Sequence, residues 1–176
     1  MRIHSESIIR HPRDAAFGAY RDRLSDIVPY LADIKEVRVL SRKEAPGSVT
    51  LHNLWVADRE IPTFAKGFLK PHMLQWDDHA EWRDQERRCH WRLETFFKDG
   101  VLCSGTNTFL AIDPQTTRVV LEGELLIDLN KIPGVPRLLA RRVGPQVEKF
   151  IVGLISPNLQ KVNDSLQKFL DDQASG

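Results

Sequence analysis

The sequence has few of the residues that build disulfides or metal sites, and it has no long apolar run. Its only cysteines are Cys89 and Cys103, without a Cys-x-x-Cys spacing, which excludes a disulfide framework or a zinc site of the usual kind. No apolar run approaches the roughly 18 residues of a membrane span, and no apolar signal-peptide segment opens the chain. These absences predict reduced, buried thiols in a cytoplasmic protein.

The sequence also has no large excess of positive or of negative charge. The 25 Lys and Arg residues balance 24 Asp and Glu residues and leave a formal net charge of +1. This balance supplies no general attraction toward nucleic acid, so no nucleic-acid partner is predicted. A chain of 176 residues can bury a core without disulfides or metals, and we expect a single domain spanning 1–176.

No catalytic signature is present. The chain has no phosphate-binding loop and no GxGxxG, HExxH or GxSxG pattern. His72 and His79 flank the carboxylates of Asp77 and Asp78, but their spacing favours a solvated loop over a metal site. Cys103 has no histidine on its predicted face, which favours packing over nucleophilic chemistry. We therefore predict no catalytic residue, no metal ligand and no cofactor, and we favour a binding protein over an enzyme.

What the sequence does contain is a long amphipathic segment near its carboxyl end. Over residues 145–170 the apolar side chains recur at steps of three and four, which predicts one helix with a continuous apolar face. At 1.5 Å per residue, about 26 helical residues extend about 39 Å. Such a helix needs an equally long apolar surface to cover, and the strands upstream must supply it.

The segments before this helix alternate between strand and turn signals. Residues 2–9 are predicted to form a strand, and Pro12 fits the first turn of a following helix. Ser25 is the predicted N-cap of a second short helix. A hairpin turn is predicted at 45–48, whereas 63–74 fits either a short helix or an irregular strand. Four consecutive strands are then predicted at 75–83, 86–97, 101–112 and 117–129.

One face of three consecutive strands is predicted to be the core face. It carries Cys89, Trp91, Leu93, Thr95, Cys103, Gly105, Asn107, Phe109, Ala111, Val119, Leu121, Gly123, Leu125 and Ile127. A three-residue turn at 98–100, with Gly100 left-handed, would place Asn107 opposite Trp91. A two-residue Asp-Gly turn is the alternative, and it mixes the faces. Gly105 and Gly123 would ease the curvature of the sheet on its concave side.

This order of elements resembles the START-like superfamily, also called SRPBCC or helix-grip. The resemblance is carried by the opening strand that runs into His11-Pro12, by the segment Leu24-Ser25-Asp26-Ile27-Val28-Pro29-Tyr30-Leu31, and by 129–136 followed by the final helix. The short helix pair is similar to that of polyketide cyclase/dehydrase-like and coenzyme-Q-binding members. The resemblance implies an α+β fold in which a curved antiparallel sheet grips a long C-terminal helix around an apolar cavity.

Members of this superfamily bind or carry lipids, sterols, quinones and polyketides, and some are cyclases, hydroxylase subunits or chaperone cofactors. The resemblance implies binding or transport of a hydrophobic small molecule between sheet and helix. The predicted ligand-binding residues are Trp55, Trp91, Leu93, Asn107, Phe109, Leu121, Phe150 and Leu154. Core packing is the alternative for the tryptophans, and a backbone hydrogen bond is the alternative for Asn107. The alternative functions are an enzyme of polyketide cyclase or dehydratase type and a ligand-free protein-interaction adaptor.

A basic cluster precedes the final helix. Lys131, Arg137, Arg141 and Arg142 surround the proline-rich residues 133–136. A basic, partly apolar segment of this kind predicts a transient contact with an anionic membrane surface, with Gly144-Pro145 as a hinge. The alternative is a solvated segment that caps the core.

Overall fold

The structure, a computed structural model, describes residues 1–67, 69–132 and 137–175, and of Phe64 and 137–143 it describes only the backbone. Seven strands and three α-helices occur in these ranges. In chain order they are β1 (Arg2–Ile9), α1 (Arg13–Asp22), α2 (Leu24–Ile27), β2 (Ile34–Ala45), β3 (Ser48–Ala57), β4 (Gln75–Arg83), β5 (Arg88–Thr95), β6 (Val101–Asp113), β7 (Thr116–Ile127) and α3 (Arg137–Ser175). The unassigned stretch 63–74 contains two short 3₁₀ turns, Thr63–Ala65 and Pro71–Met73. The predicted α+β class and order of elements are confirmed.

The seven strands form one curved antiparallel sheet in the order β1-β7-β6-β5-β4-β3-β2. Consecutive strands from β2 to β7 are neighbours, while β1 adds to the far edge beside β7. Side chains alternate between buried and more exposed along β3, β4 and β5, as the two-residue period of a strand requires. The buried face is the core face, and α1 and α3 lie on it.

The helix α3 is longer than the sequence pattern predicts. Its buried residues include Val147, Ile151, Leu154, Ile155, Val162, Leu166 and Phe169, which confirms the predicted apolar face. The helix begins at Arg137, and both Pro145 and Pro157 lie inside it, so the predicted hinge at 144–145 falls within a continuous helix. Pro157 has no N–H to donate to the Gly153 carbonyl. The Arg59 guanidinium donates to that carbonyl instead, over 3.4 Å.

The predicted geometry of the turn at 98–100 is wrong, but the error does not move a strand to the other face of the sheet. Lys98, with φ 48°, is left-handed in the place predicted for Gly100. The pairing of β5 with β6 is therefore shifted by two residues, so that Gly105 lies opposite Trp91 and Asn107 opposite Cys89. A shift by an even number of residues keeps every side chain on its face, and the predicted core face survives.

Ser25 is not an N-cap, because α2 already begins at Leu24. Its hydroxyl donates to the Val37 carbonyl over 2.9 Å and so links α2 to β2. We expect Ser25→Ala to lower the free energy of unfolding by about 0.5–1 kcal/mol, the usual net value of one such bond. Urea unfolding of this variant beside Ser41→Ala, an exposed serine on β2, measures the difference. Equal stability of the two variants would contradict the assignment.

Candidate functional site

A cavity lies between the core face of β3, β4 and β5 and the helices α1 and α3. Its aromatic lining residues are Tyr20, Trp55, Trp76, Trp82 and Trp91, and its polar lining residues are Asn53, Asp78, Asn107 and Asn158. Its volume, taken as space for the centres of water molecules, is about 40 Å³. A buried water needs about 10–15 Å³ on this measure. The cavity therefore has room for a group of a few non-hydrogen atoms.

All four tryptophans of the chain meet at this cavity. Each occupies an inward position on β3, β4 or β5, so the alternation of the strands brings them to one place. Trp55 and Trp76 are direct cross-strand partners, and their rings stack with centroids 6.0 Å apart and planes 13° apart. The ring of Tyr20, from α1, packs edge-on against Trp82 at 5.4 Å. The cavity wall is thus built mainly of aromatic rings.

Asn107 belongs to a buried hydrogen-bonded chain of side chains. The Trp91 indole N–H donates to Asn107 Oδ1 over 3.2 Å, and Asn107 Nδ2 donates to the Tyr20 hydroxyl over 3.4 Å. The amide is therefore held by side chains and not by the backbone bond considered as its alternative. This chain fixes the Trp91 ring and connects β5, β6 and α1.

Asp78 is the buried acid of the cavity. It lies on β4 opposite Asn53 of β3, is 8% exposed, and accepts a hydrogen bond of 3.1 Å from Asn53 Nδ2. The prediction of a solvated loop is wrong for this residue, since it occupies an inward strand position. Its neighbours Asp77 and His79 occupy outward positions, where they pair with His52 and Glu94.

Burial in this apolar setting raises the pKa of the Asp78 carboxyl to about 6. The Asn53 amide and the Trp55 indole lower this pKa in part, although the Trp55 N–H makes no hydrogen bond of normal geometry. Burial also raises the pKa of the Tyr20 hydroxyl, and the nearby Asp78 charge raises it further. Asp78 consequently changes its charge near neutral pH, whereas Tyr20 stays neutral.

Three buried polar atoms of the lining residues have no hydrogen-bond partner among the residues that the structure describes. They are Asn53 Oδ1, Trp55 Nε1 and Trp82 Nε1, on side chains of residues that are 1%, 7% and 3% exposed. Buried polar atoms in folded proteins are almost always hydrogen-bonded, to protein, water or ligand. Residues that line the cavity therefore carry one acceptor and two donors without a partner.

The two cysteine thiols are suited to packing in the core and not to nucleophilic catalysis. Cys89 lines the cavity, and burial raises its pKa well above the ordinary value. Burial raises the pKa of the Cys103 thiol to about 12. Both thiols are therefore protonated at neutral pH, and a thiol is a poor nucleophile compared with its thiolate.

The structure brings together half of the predicted ligand-binding residues. Trp55, Trp91, Leu93 and Asn107 line the cavity, whereas Phe109, Leu121, Phe150 and Leu154 do not. Phe109 and Leu121 are fully buried on the same sheet face, and Phe109 packs on Phe17 with centroids 5.4 Å apart. Leu154 is buried on α3 and Phe150 is half-buried. Ligand binding by all eight residues stays a prediction.

Sequence reasoning missed Asn53, Trp76, Asp78 and Trp82 as members of one site. A signal for them exists in the alternation of β4, where Trp76, Asp78, Ala80 and Trp82 recur every second residue. A carboxylate between inward tryptophans at that spacing indicates a buried acid.

The structure describes only part of the basic cluster. Lys131 is exposed and lies 3.8 Å from the Asp128 carboxylate, while residues 133–136 and the side chains of Arg137, Arg141 and Arg142 lie outside the described residues. Contact with a membrane surface therefore stays a prediction. None of the helices in the described part of the chain combines the length and apolar character needed to cross a membrane.

The chain has a helix-grip fold, a curved antiparallel sheet with a long C-terminal helix. A solved protein from Thermus thermophilus is similar over 99% of both chains, with 21% identity and a TM-score of 0.69. An aromatase/cyclase from Streptomyces sp. R1128 is similar over 100% of this chain and 98% of its own, with 13% identity and a TM-score of 0.67. The norcoclaurine synthase of Thalictrum flavum is similar over 98% and 87%, with 12% identity and a TM-score of 0.56.

No protein-family model matches the sequence, and no curated protein matches it. The likeness to solved structures therefore concerns the fold, and it confirms the fold that the resemblance implied.

Proposed function

We propose that the protein binds a hydrophobic small molecule, such as a lipid, a quinone or a polyketide-like compound, with one end of the molecule held in the aromatic cavity. The observation that carries this proposal is the set of three unpartnered polar atoms among lining residues that are otherwise mostly apolar. A mostly apolar pocket with a few polar anchors suits a ligand with a large apolar body and a small polar group. The fold shared with an aromatase/cyclase agrees with this class of ligand.

A complete ligand of this size needs more than the 40 Å³ of the cavity, because ligand pockets commonly measure about 300–1,000 Å³. Binding therefore includes a movement that widens the space between the sheet and α3. Pro157 removes one helical hydrogen bond immediately before Asn158 and Leu159, two of the α3 residues that line the cavity. Bending of α3 at this point costs less than elsewhere along the helix.

Filling the cavity tests this proposal. Ala80 lines the cavity from β4, and Ala80→Leu adds three carbon atoms there. We expect this variant to weaken binding of the neutral fluorescent probe N-phenyl-1-naphthylamine by at least about tenfold, a loss of 1.4 kcal/mol or more. The control is Ala111→Leu, an exposed alanine on β6.

Thermal unfolding of both variants shows whether each is folded at the temperature of the titration. Wild-type affinity in folded Ala80→Leu, or no binding by the wild type, would overturn the proposed binding in this cavity.

A second candidate function is an enzyme of polyketide cyclase or dehydratase type, and the buried Asp78 favours it. A carboxyl with a pKa of about 6 is available in both protonation states near neutral pH, as general acid–base catalysis requires. Turnover of a cyclisable poly-β-ketone that Asp78→Asn slows by about 100-fold or more would support this candidate. Equal turnover by this variant and the wild type would remove Asp78 from the chemistry.

A further inference from the structure

Within the described part of the chain, the cavity is lined by an ionisable acid and by no basic side chain. Of the side chains that the structure describes, those lining the cavity include Asp78 but no lysine, arginine or histidine. Asp78 also takes part in none of the ion pairs found among the described residues. A buried carboxylate without a cation is costly, because burial removes its hydration, and the Asn53 amide and the nearby Trp55 indole replace only part of it. A positive charge on the ligand would remove that cost.

We propose that the polar group held beside Asp78 is a small organic cation, a protonated amine or a quaternary ammonium group. The inference rests on the proposed function, since it assigns a chemical class to the polar end of the same ligand. Asp78 and the unpartnered Asn53 Oδ1 accept hydrogen bonds from a protonated amine, and the Asp78 carboxylate attracts a quaternary ammonium group by its charge. Both side chains project from directly paired positions of β3 and β4, and both residues are more than nine-tenths buried.

The aromatic wall fits the same class of ligand. The cavity is lined by four indole rings and the ring of Tyr20, and a cation over the face of such a ring is attracted by its quadrupole. This attraction is largest for tryptophan and for sites shielded from water. The cavity satisfies both conditions, because each of its four tryptophans is at most 7% exposed.

The size of the cavity suits a small ammonium group, and the Asp78 charge opposes an anionic group. A cavity of about 40 Å³ accommodates an ammonium group with a few attached carbon atoms. An anionic group would meet the Asp78 carboxylate without a basic side chain to offset the repulsion. A neutral hydroxyl is the serious competitor, because it can accept from the Trp55 and Trp82 N–H groups, which an ammonium group cannot do. Under our proposal a water molecule or an oxygen atom of the ligand accepts from those donors.

Two isosteric probes distinguish the cation from the neutral group. tert-Butylamine, protonated at pH 7.5, and tert-butanol have the same shape and differ in charge, and trimethylacetate provides the anion. We expect tert-butylammonium to bind the wild type at least about tenfold more tightly than tert-butanol, and trimethylacetate to bind less tightly than either. Saturation of tryptophan fluorescence or of ligand NMR signals measures the three dissociation constants.

Two variants test whether Asp78 causes the difference in affinity between the amine and the alcohol. Asp78→Asn is expected to lower the ratio of the two affinities to about one, while Asp77→Asn, at the neighbouring outward position, is expected to leave the wild-type ratio unchanged. Equal affinity for amine and alcohol in the wild type, tighter binding of the alcohol, or no binding of the amine would overturn the inference. An unchanged ratio in Asp78→Asn would overturn it as well.

These outcomes are separate from a failure of the proposed function. If tert-butanol and the naphthylamine probe bind but the amine has no advantage, the cavity still holds a hydrophobic molecule and only the assigned charge is wrong. If Ala80→Leu leaves the naphthylamine titration unchanged, the cavity is not the binding site and both conclusions fall.

Discussion

Asp78→Asn is expected to raise the free energy of unfolding by about 3 kcal/mol at pH 7.5. The carboxyl has an ordinary pKa of 3.8 and a pKa of about 6 in the folded protein. Folding therefore favours the protonated form, and above pH 6 the ionised, buried carboxylate lowers stability. A difference of about two pKa units corresponds to about 3 kcal/mol. Asparagine is neutral and its Oδ1 still accepts the hydrogen bond from Asn53, so it avoids this cost.

The pH dependence gives the sharper test of this prediction. The cost of the wild-type carboxylate declines as the pH falls from about 6 toward 3.8, so the advantage of the variant should shrink to about half near pH 5. The other groups that act on Asp78 or are affected by its charge are Tyr20 of α1, His52 of β3, His79 of β4 and Cys89 of β5. They are the same in both proteins, so the difference between the two proteins isolates Asp78.

Urea unfolding of the wild type and of Asp78→Asn at pH 7.5 and pH 5 measures this difference. Asp77→Asn is the control, because Asp77 sits at an outward position beside His52, and its removal should not stabilise the protein. A less stable Asp78→Asn at pH 7.5, or an advantage independent of pH, would contradict the burial of an unpaired carboxylate. Residues such as Asp78 that lower the stability of the fold are expected at functional sites, because function there requires the residue.

Gly105→Ala is expected to destabilise the protein by about 3 kcal/mol or more. Gly105 on β6 lies opposite Trp91 on one side and Gly123 on the other. A Cβ atom at this position would lie 2.5 Å from Trp91 Cζ2 and 2.8 Å from the Gly123 Cα, and it would also collide with the Glu122 carbonyl oxygen. Overpacking of a core usually costs about 1–3 kcal/mol, and more where backbone must move.

Gly18→Ala is the matched control for this substitution. Apart from its chain neighbours and the backbone of its own helix, no atom of the described residues lies within 4 Å of a Cβ atom at Gly18. Alanine in a helix is about 0.5–1 kcal/mol more favourable than glycine. We therefore expect opposite signs for the same chemical change at the two positions, measured by thermal or urea unfolding. If Gly105→Ala were as stable as the wild type, the close approach of Trp91 to β6 and β7 would be wrong. The position of Trp91 also defines one wall of the cavity.

The fold was largely predictable because it depends on periodicity. The alternation around Trp91 and the three- and four-residue steps of the final helix define which faces are buried, and those faces are correct in the structure. The register between β5 and β6 was not predictable, because it depends on whether Lys98 or Gly100 takes the left-handed conformation. The start of α3 was missed because Pro145 usually marks the first turn of a helix, whereas here it lies inside one.

The site was only partly predictable, for a different reason. Trp91 and Asn107 were recognised because each lies on a predicted apolar face. Asp78 was assigned to a solvated loop because of its spacing from the neighbouring histidines, and the local alternation of Trp76, Asp78 and Ala80 was not used. Buried charged residues break the usual relation between polarity and exposure, and functional sites are where such exceptions are expected.

The central claim is that the space between the sheet and α3 holds a small molecule. Native mass spectrometry of the wild type, after incubation with a mixture of lipids, quinones and polyketide-like compounds, tests it most directly. We predict a complex whose added mass disappears on denaturation and is strongly reduced in Ala80→Leu but not in Ala111→Leu. A wild-type protein that retains only the mass of the bare chain in every mixture would contradict the claim.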